Sequence, residues 1–142
     1  MLRAEDLMIG DWAYIYHPTR ERTPVKVDGV WIETIERIDN GLTREDSPMF
    51  RIVEPIPLTP EILEKNGFKN TSVVTIGTRK MRWVSDDTRT EITIWMDDTL
   101  PMEIVKNVYY EDEVSYTLPF PATVHELQHT LRLCGIEKEI EL

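Results

Sequence analysis

The residues with the clearest chemical potential lie near the C-terminus, in the stretch "ATVHELQHTL", Ala122 to Leu131. His125 and His129 are four residues apart, so a helix would place both imidazoles on one face. With Glu126 beside the first histidine, this is the HExxH pattern, in which two histidines bind zinc and the glutamate acts as general base. The pattern raises the hypothesis of a zinc hydrolase with His125 and His129 as metal ligands and Glu126 as the catalytic residue.

A catalytic zinc site also needs a third protein ligand. In the longer form of the motif that ligand is a further histidine, but Gly135 occupies its place. The acids that follow, Glu137, Glu139 and Glu141, lie beyond this glycine on a predicted strand, so one of them would have to fold sharply back. His17 is the only other histidine, and the sequence does not set its distance from the helix.

The same residues also have an explanation without catalysis. Thr123 and Glu126 have the spacing of a capping box, which stabilises a helix N-terminus. At about 100° per residue, an apolar stripe runs along one side of the helix and the two histidines lie on the far side. The stripe consists of Val124, Leu127, Leu131 and Cys134. We therefore predict that both imidazoles face the solvent without a bound metal, and we keep a zinc enzyme as the alternative.

Other candidate groups have similarly plain explanations. Cys134 lies on the apolar stripe, which predicts a buried thiol rather than a nucleophile. The pairs Asp86-Asp87 and Asp97-Asp98 lack calcium-loop spacing and are predicted to be turns. Four aromatic residues are candidates for a binding surface, with the core or a half-exposed sheet as the alternative. They are Trp12, Tyr14, Tyr16 and Trp31.

Composition restricts the partners. The 142 residues include 16 basic and 26 acidic side chains, a net charge of −10. Nucleic acids and anionic membranes are bound mainly through clustered Lys and Arg, so the charge argues against both and permits a basic protein partner. The single cysteine excludes an intramolecular disulfide, and no apolar run is long enough for a signal peptide or a membrane span. We expect a cytoplasmic protein.

The pattern along the chain predicts an α+β fold. In residues 1–57, "DWAYIYH", "VKV", "VWIETIERI" and "MFRIVEPI" read as strands, with Asp28-Gly29 as a hairpin turn. They predict a β-rich subdomain that forms a small SH3-like barrel or curled sheet. In residues 58–142, "LTPEILEKNGF" predicts a helix capped by Thr59 and ended by Gly67. Strands from "SVVTIG" to "EVSYTL" follow as an antiparallel meander, then the HExxH helix and a final strand over 136–142.

This order of elements resembles a group of short uncharacterised proteins from anaerobic gut bacteria, their phages and mobile elements. The likeness rests on "LTPEILEKNGF", the meander and "VHELQHTLRLCGIEKEIEL", covers roughly residues 52–142, and extends more loosely to "EDLMIGDWAY". The helix of that group typically reads "VHELQN", so His129 stands where the group has asparagine or another polar residue. The resemblance implies that the second histidine is incidental, and it implies no activity.

These observations predict a non-catalytic accessory or protein-binding domain of a phage or mobile element. The zinc hydrolase is the first alternative, and an acidic counter-defence protein that mimics nucleic acid is the second. The terminal strand over 136–142 would have a free edge, which permits a homodimer.

Overall fold

A computed structural model describes residues 1–71, 78–87, 89–109 and 111–142. This part of the chain is α+β, with three α-helices and two open antiparallel sheets. It divides into two compact units, Met1–Ile56 with Thr123–His125 and Pro57–Ala122 with Glu126–Leu142. Within the described ranges, no helix has the length and apolar character needed to cross a membrane.

The first unit is built on a three-stranded sheet. Strands β1 (Trp12–Tyr16), β2 (Pro24–Lys26) and β3 (Ile52–Glu54) lie in the order β2-β1-β3, and helix α1 (Gly29–Asp39) connects β2 to β3. One face of β1 is buried through Ala13 and Ile15, which form a core with Val27, Ile35 and Val53. The predicted alternation of "DWAYIYH" is confirmed.

Helix α1 corrects the prediction for "VWIETIERI", which is not a strand. The Asp28 carboxylate accepts a hydrogen bond from the Trp31 amide at 2.9 Å, so Asp28 is a helix N-cap and not a hairpin turn residue. Ile35 and Ile38 are buried, and Trp31 packs against the core. These three residues are four and three positions apart, which places them on one face of a helix. With a helix in place of that strand, the described strands of this unit form an open three-stranded sheet, so the barrel form of the predicted barrel or curled sheet is not confirmed.

The second unit contains the predicted helix and meander. Helix α2 (Pro60–Lys65) begins at Thr59, whose hydroxyl accepts from the Ile62 amide at 3.3 Å, and Gly67 follows it with a positive φ of 87°. The sheet has the order β4-β5-β6-β7-β8. Its strands are β4 (Lys69–Asn70), β5 (Thr78–Val84), β6 (Thr90–Asp97), β7 (Met102–Val108) and β8 (Val114–Leu118). The meander is thereby confirmed from β5 to β8, whereas the predicted strand "SVVTIG" lies outside the described residues.

The strand register explains which side of this sheet is buried. Met81, Ile94 and Ile104 are neighbours across β5, β6 and β7, and all three are fully buried. The residues one position along each strand point to the opposite face, where Lys80 lies over the ring of Trp95 and Arg82 pairs with Glu91. The meander is therefore apolar on one face and largely polar on the other.

The C-terminal segment is not the strand that its alternation predicts. After helix α3 (Val124–Leu133), residues 136–142 contain no strand. The Asn66 side chain donates to the Glu141 carbonyl and accepts from the Glu141 amide, each at 2.7 Å. Ile140 beside it is buried at 2% exposure. The side-chain amide of Asn66 therefore forms the hydrogen bonds with the Glu141 backbone that a neighbouring strand would otherwise form.

Candidate functional site

Helix α3 carries the HExxH residues, and the structure corrects the expectation that both imidazoles face the solvent. His125 is only 7% exposed, and its Nδ1 lies 3.1 Å from the Thr123 hydroxyl. His129 and Glu126 are half-buried. The apolar stripe is buried as predicted, but the buried surface of the helix is wider than the stripe, because Gln128 and Thr130 are buried as well.

The arrangement of potential ligands does not form a zinc centre in the described ranges. No group of three or more His, Cys, Asp or Glu side chains there is placed to hold a metal ion. The Nδ1 atom of His17, the third histidine, lies 2.8 Å from the Thr19 hydroxyl in an exposed turn. A catalytic zinc requires three protein ligands and an open position for water, and the described residues do not bring such a set together.

Cys134 is a buried thiol, as predicted. It is 3% exposed, and burial raises the pKa of its thiol above the ordinary value. Reaction as a nucleophile requires the thiolate, which this environment disfavours. The ammonium group of Lys106 donates to the Cys134 carbonyl at 2.7 Å, a favourable position for a cation beside the end of a helix.

The four aromatic candidates do not share one environment. Trp12, Tyr14 and Tyr16 are half-buried and alternate with the buried residues of β1. Trp31 lies on α1 and packs against the core to which those buried residues belong. The hydroxyl of Tyr16 donates to Glu54 at 2.7 Å. The use of these four side chains as one binding surface stays a prediction.

The second unit has a pocket that the sequence did not predict. Its volume is about 250 Å³. It lies between the ends of strands and two proline-containing segments, Pro57–Glu61 and Phe120–Ala122, which are joined by a hydrogen bond of 3.0 Å from the Leu58 amide to the Ala122 carbonyl. The only sequence signal was the two proline-rich stretches "EPIPLTP" and "LPFPA", and nothing in the sequence places them side by side.

The lining of this pocket is mainly apolar. Buried Leu58 and Met102 contribute to it, together with Met96 and three prolines. Leu100 and Phe120 also line it and are 59% and 53% exposed. Large apolar side chains that line a concavity and remain open to water are typical of a binding site.

Charged side chains complete the pocket lining. Glu61, Asp97 and Asp98 contribute three carboxylates against the single cation of Arg79. The amide and the hydroxyl of Thr99 both donate to the Asp97 carboxylate at 2.9 Å, and these bonds hold the pKa of Asp97 below its usual value. The pocket therefore combines an apolar lining with net negative charge.

The comparisons with other proteins add no assignment, because the chain matches no protein family, no curated protein and no solved structure.

Proposed function

We propose that the protein is a non-catalytic binding domain that receives an apolar side chain of a partner protein in the pocket of the second unit. The observation that carries the proposal is the apolar pocket with Leu100 and Phe120 exposed in its lining. Its volume of about 250 Å³ is smaller than the roughly 300–1,000 Å³ of pockets for whole small molecules. A pocket of this size suits one or two side chains.

The charge around the pocket favours a partner that has a basic residue next to the bound apolar side chain. The pocket lining contains three carboxylates and one guanidinium. The net charge of −10 would also attract a basic partner during encounter. The partner segment is therefore an apolar side chain flanked by Lys or Arg.

The resemblance and the composition supply the biological setting of the proposal. The likeness to short proteins of gut-bacterial phages and mobile elements supports an accessory role, and the single buried cysteine is compatible with the reducing cytoplasm. The accessory role and the cytoplasmic location are supported by the sequence, whereas the binding mode is supported by the pocket.

A displayed library of random peptides tests the binding mode directly. We expect the wild-type chain to enrich peptides with a large apolar residue adjacent to Lys or Arg. The Leu100→Ser/Phe120→Ser variant should bind them at least about tenfold more weakly, because burying one large apolar side chain contributes roughly 1.5–3 kcal/mol. Asp98→Asn should weaken the same peptides less and reduce the salt dependence of binding.

The matched control is Val30→Ser/Leu133→Ser, which removes two apolar side chains that are 72% and 71% exposed and do not line the pocket. The control should bind like the wild type. The proposal is wrong if the library yields no such peptides, or if the pocket variant and the control bind them equally.

A further inference from the structure

Strand β8 presents an open edge. Among the described residues, it is the last strand of the second sheet and pairs with β7 alone. Within the described ranges, no backbone hydrogen bond other than those of the β7 ladder reaches Val114–Leu118. Val114, Ser115 and Thr117 are exposed, so water has access to the backbone groups along this edge.

The other outer strands carry features that discourage pairing, and β8 does not. β4 has only two residues, one of them Lys69, and β2 contains Pro24 and Lys26. β3 has three residues and ends in Glu54. Short length, proline and charge are the usual ways in which an edge is kept from pairing. β8 has five residues, "VSYTL", without charge, proline or glycine.

We propose that β8 pairs with β8 of a second copy of the chain as antiparallel strands, which joins the two sheets in a homodimer. One antiparallel register pairs all five residues, and it places Tyr116 opposite Tyr116 of the second copy. Val114 then faces Leu118, and Ser115 faces Thr117. Apolar side chains meet apolar ones on the buried side of the sheet, and hydroxyl side chains meet on the other side, as favourable cross-strand pairs do.

The strand is self-complementary in this register, and the charges next to it favour the antiparallel direction over the parallel one. The acidic run Glu111-Asp112-Glu113 precedes the strand and Pro119-Phe120 follows it. In the antiparallel register, each acidic run lies opposite the uncharged Pro119-Phe120 of the other copy. In a parallel pair, the two acidic runs would lie side by side and repel each other.

This edge replaces the one that the sequence suggested for a dimer. Residues 136–142 form no strand, and the Glu141 backbone is bonded to Asn66. The interface proposed on β8 is short, and short interfaces form weak, concentration-dependent complexes. The five residues of β8 do not line the pocket, and the variants that test the dimer leave Phe120 unchanged, so the two proposals can fail separately.

Analytical ultracentrifugation of the full chain over a concentration series tests the dimer. We expect the wild-type mass to rise from that of a monomer towards that of a dimer. Ser115→Lys/Thr117→Lys places like charges opposite each other at two points of the register and should remain monomeric. Ser115→Glu/Thr117→Lys places opposite charges at the same points and should dimerise at least as well as the wild type. Asn40→Lys/Asn107→Lys, two exposed positions outside β8, is the charge control and should behave like the wild type.

Cross-linking provides a second measurement, because a disulfide captures a dimer that is only weakly populated. In a Cys134→Ala background, Tyr116→Cys should form an intermolecular disulfide under mild oxidation, because directly opposed residues of an antiparallel pair have Cα atoms about 4.5–5.5 Å apart, within disulfide range. Asn107→Cys on β7 should not. A wild-type chain that stays monomeric up to its solubility limit would overturn the proposal. So would equal dimerisation of the two charge variants, or equal cross-linking of the two cysteine variants.

Discussion

Asp28 provides the sharpest test of the fold, because the sequence pattern and the structure give it different roles. In the structure its carboxylate accepts from the Trp31 amide at 2.9 Å and begins α1. Replacing an N-cap aspartate by alanine typically costs about 1 kcal/mol. With a urea m-value of roughly 2 kcal/mol/M, Asp28→Ala should lower the unfolding midpoint by about 0.5 M.

The assay can be restricted to the first unit. The chain has four tryptophans, of which Trp12 and Trp31 lie in the first unit. In a Trp83→Phe/Trp95→Phe background, urea unfolding followed by tryptophan fluorescence therefore reports on α1 and its sheet. Far-UV circular dichroism on the same samples shows whether the loss of stability accompanies a loss of helix.

Asp28→Ser is the variant that separates the two roles. Serine is nearly as good an N-cap as aspartate, so it should keep most of the stability that alanine loses. In the two-residue hairpin turn that the sequence suggested, position 28 would need a positive φ, which asparagine, aspartate and glycine tolerate and serine does not favour. If serine destabilises the chain as much as alanine does, or if alanine has no effect, the capping assignment is refuted.

Four further predictions concern the core, the thiol, an ion pair and the HExxH helix. Ile35→Ala, at a residue 1% exposed, should cost roughly 2–5 kcal/mol of unfolding free energy in urea, whereas Val30→Ala, at a residue 72% exposed, should change it by less than about 0.5 kcal/mol. Cys134 should react slowly with a disulfide reagent at pH 8 in the native chain and fully in urea, because burial raises its pKa and blocks access; rapid native labelling would contradict this. The hydrogen bond from Arg82 lowers the pKa of Glu91 from 4.5, so the pair stabilises the fold above that value and the contribution is lost as pH falls through the lowered pKa. Glu91→Gln should accordingly cost less than about 1 kcal/mol at pH 7, since the two side chains remain 46% and 30% exposed to screening by solvent, and the difference from wild type should vanish in acid. Treatment with a metal chelator should leave the unfolding midpoint unchanged, and a clear decrease would favour the zinc alternative for the HExxH helix.

The sequence predicts a helix or strand correctly where several local signals indicate the same element. In α2, the capping threonine, the proline and the following glycine all indicate the same short helix, and the structure contains it. In α1, the dipeptide Asp28-Gly29 is compatible with a hairpin turn and with a helix start, and the β-branched residues after it favour a strand. The spacing of Trp31, Ile35 and Ile38 was the signal for a helix, because a strand would place Ile35 and Ile38 on opposite faces.

The C-terminal segment shows why alternation alone does not determine a strand. Ile136, Ile140 and Leu142 alternate with acids, as in an edge strand. A strand also needs a neighbour with free backbone groups, and the partner of Glu141 is the side chain of Asn66, 75 residues earlier in the chain. No pattern within the segment contains that information.

The pocket and the HExxH helix differ in what positions their residues. His125, Glu126 and His129 are neighbours on one helix, so the sequence determines their spacing but not what buries them, and the fold buries His125 beside Thr123. The pocket joins Leu58, Met96 and Phe120 from three distant parts of the chain, so no local motif can reveal it. A motif within one helix indicates which chemistry its residues could perform. Whether a ligand can reach those residues depends on contacts with other helices and strands. Those contacts bury the imidazole of His125 and leave Leu100 and Phe120 open to water, and for this reason we base the proposed function on the pocket.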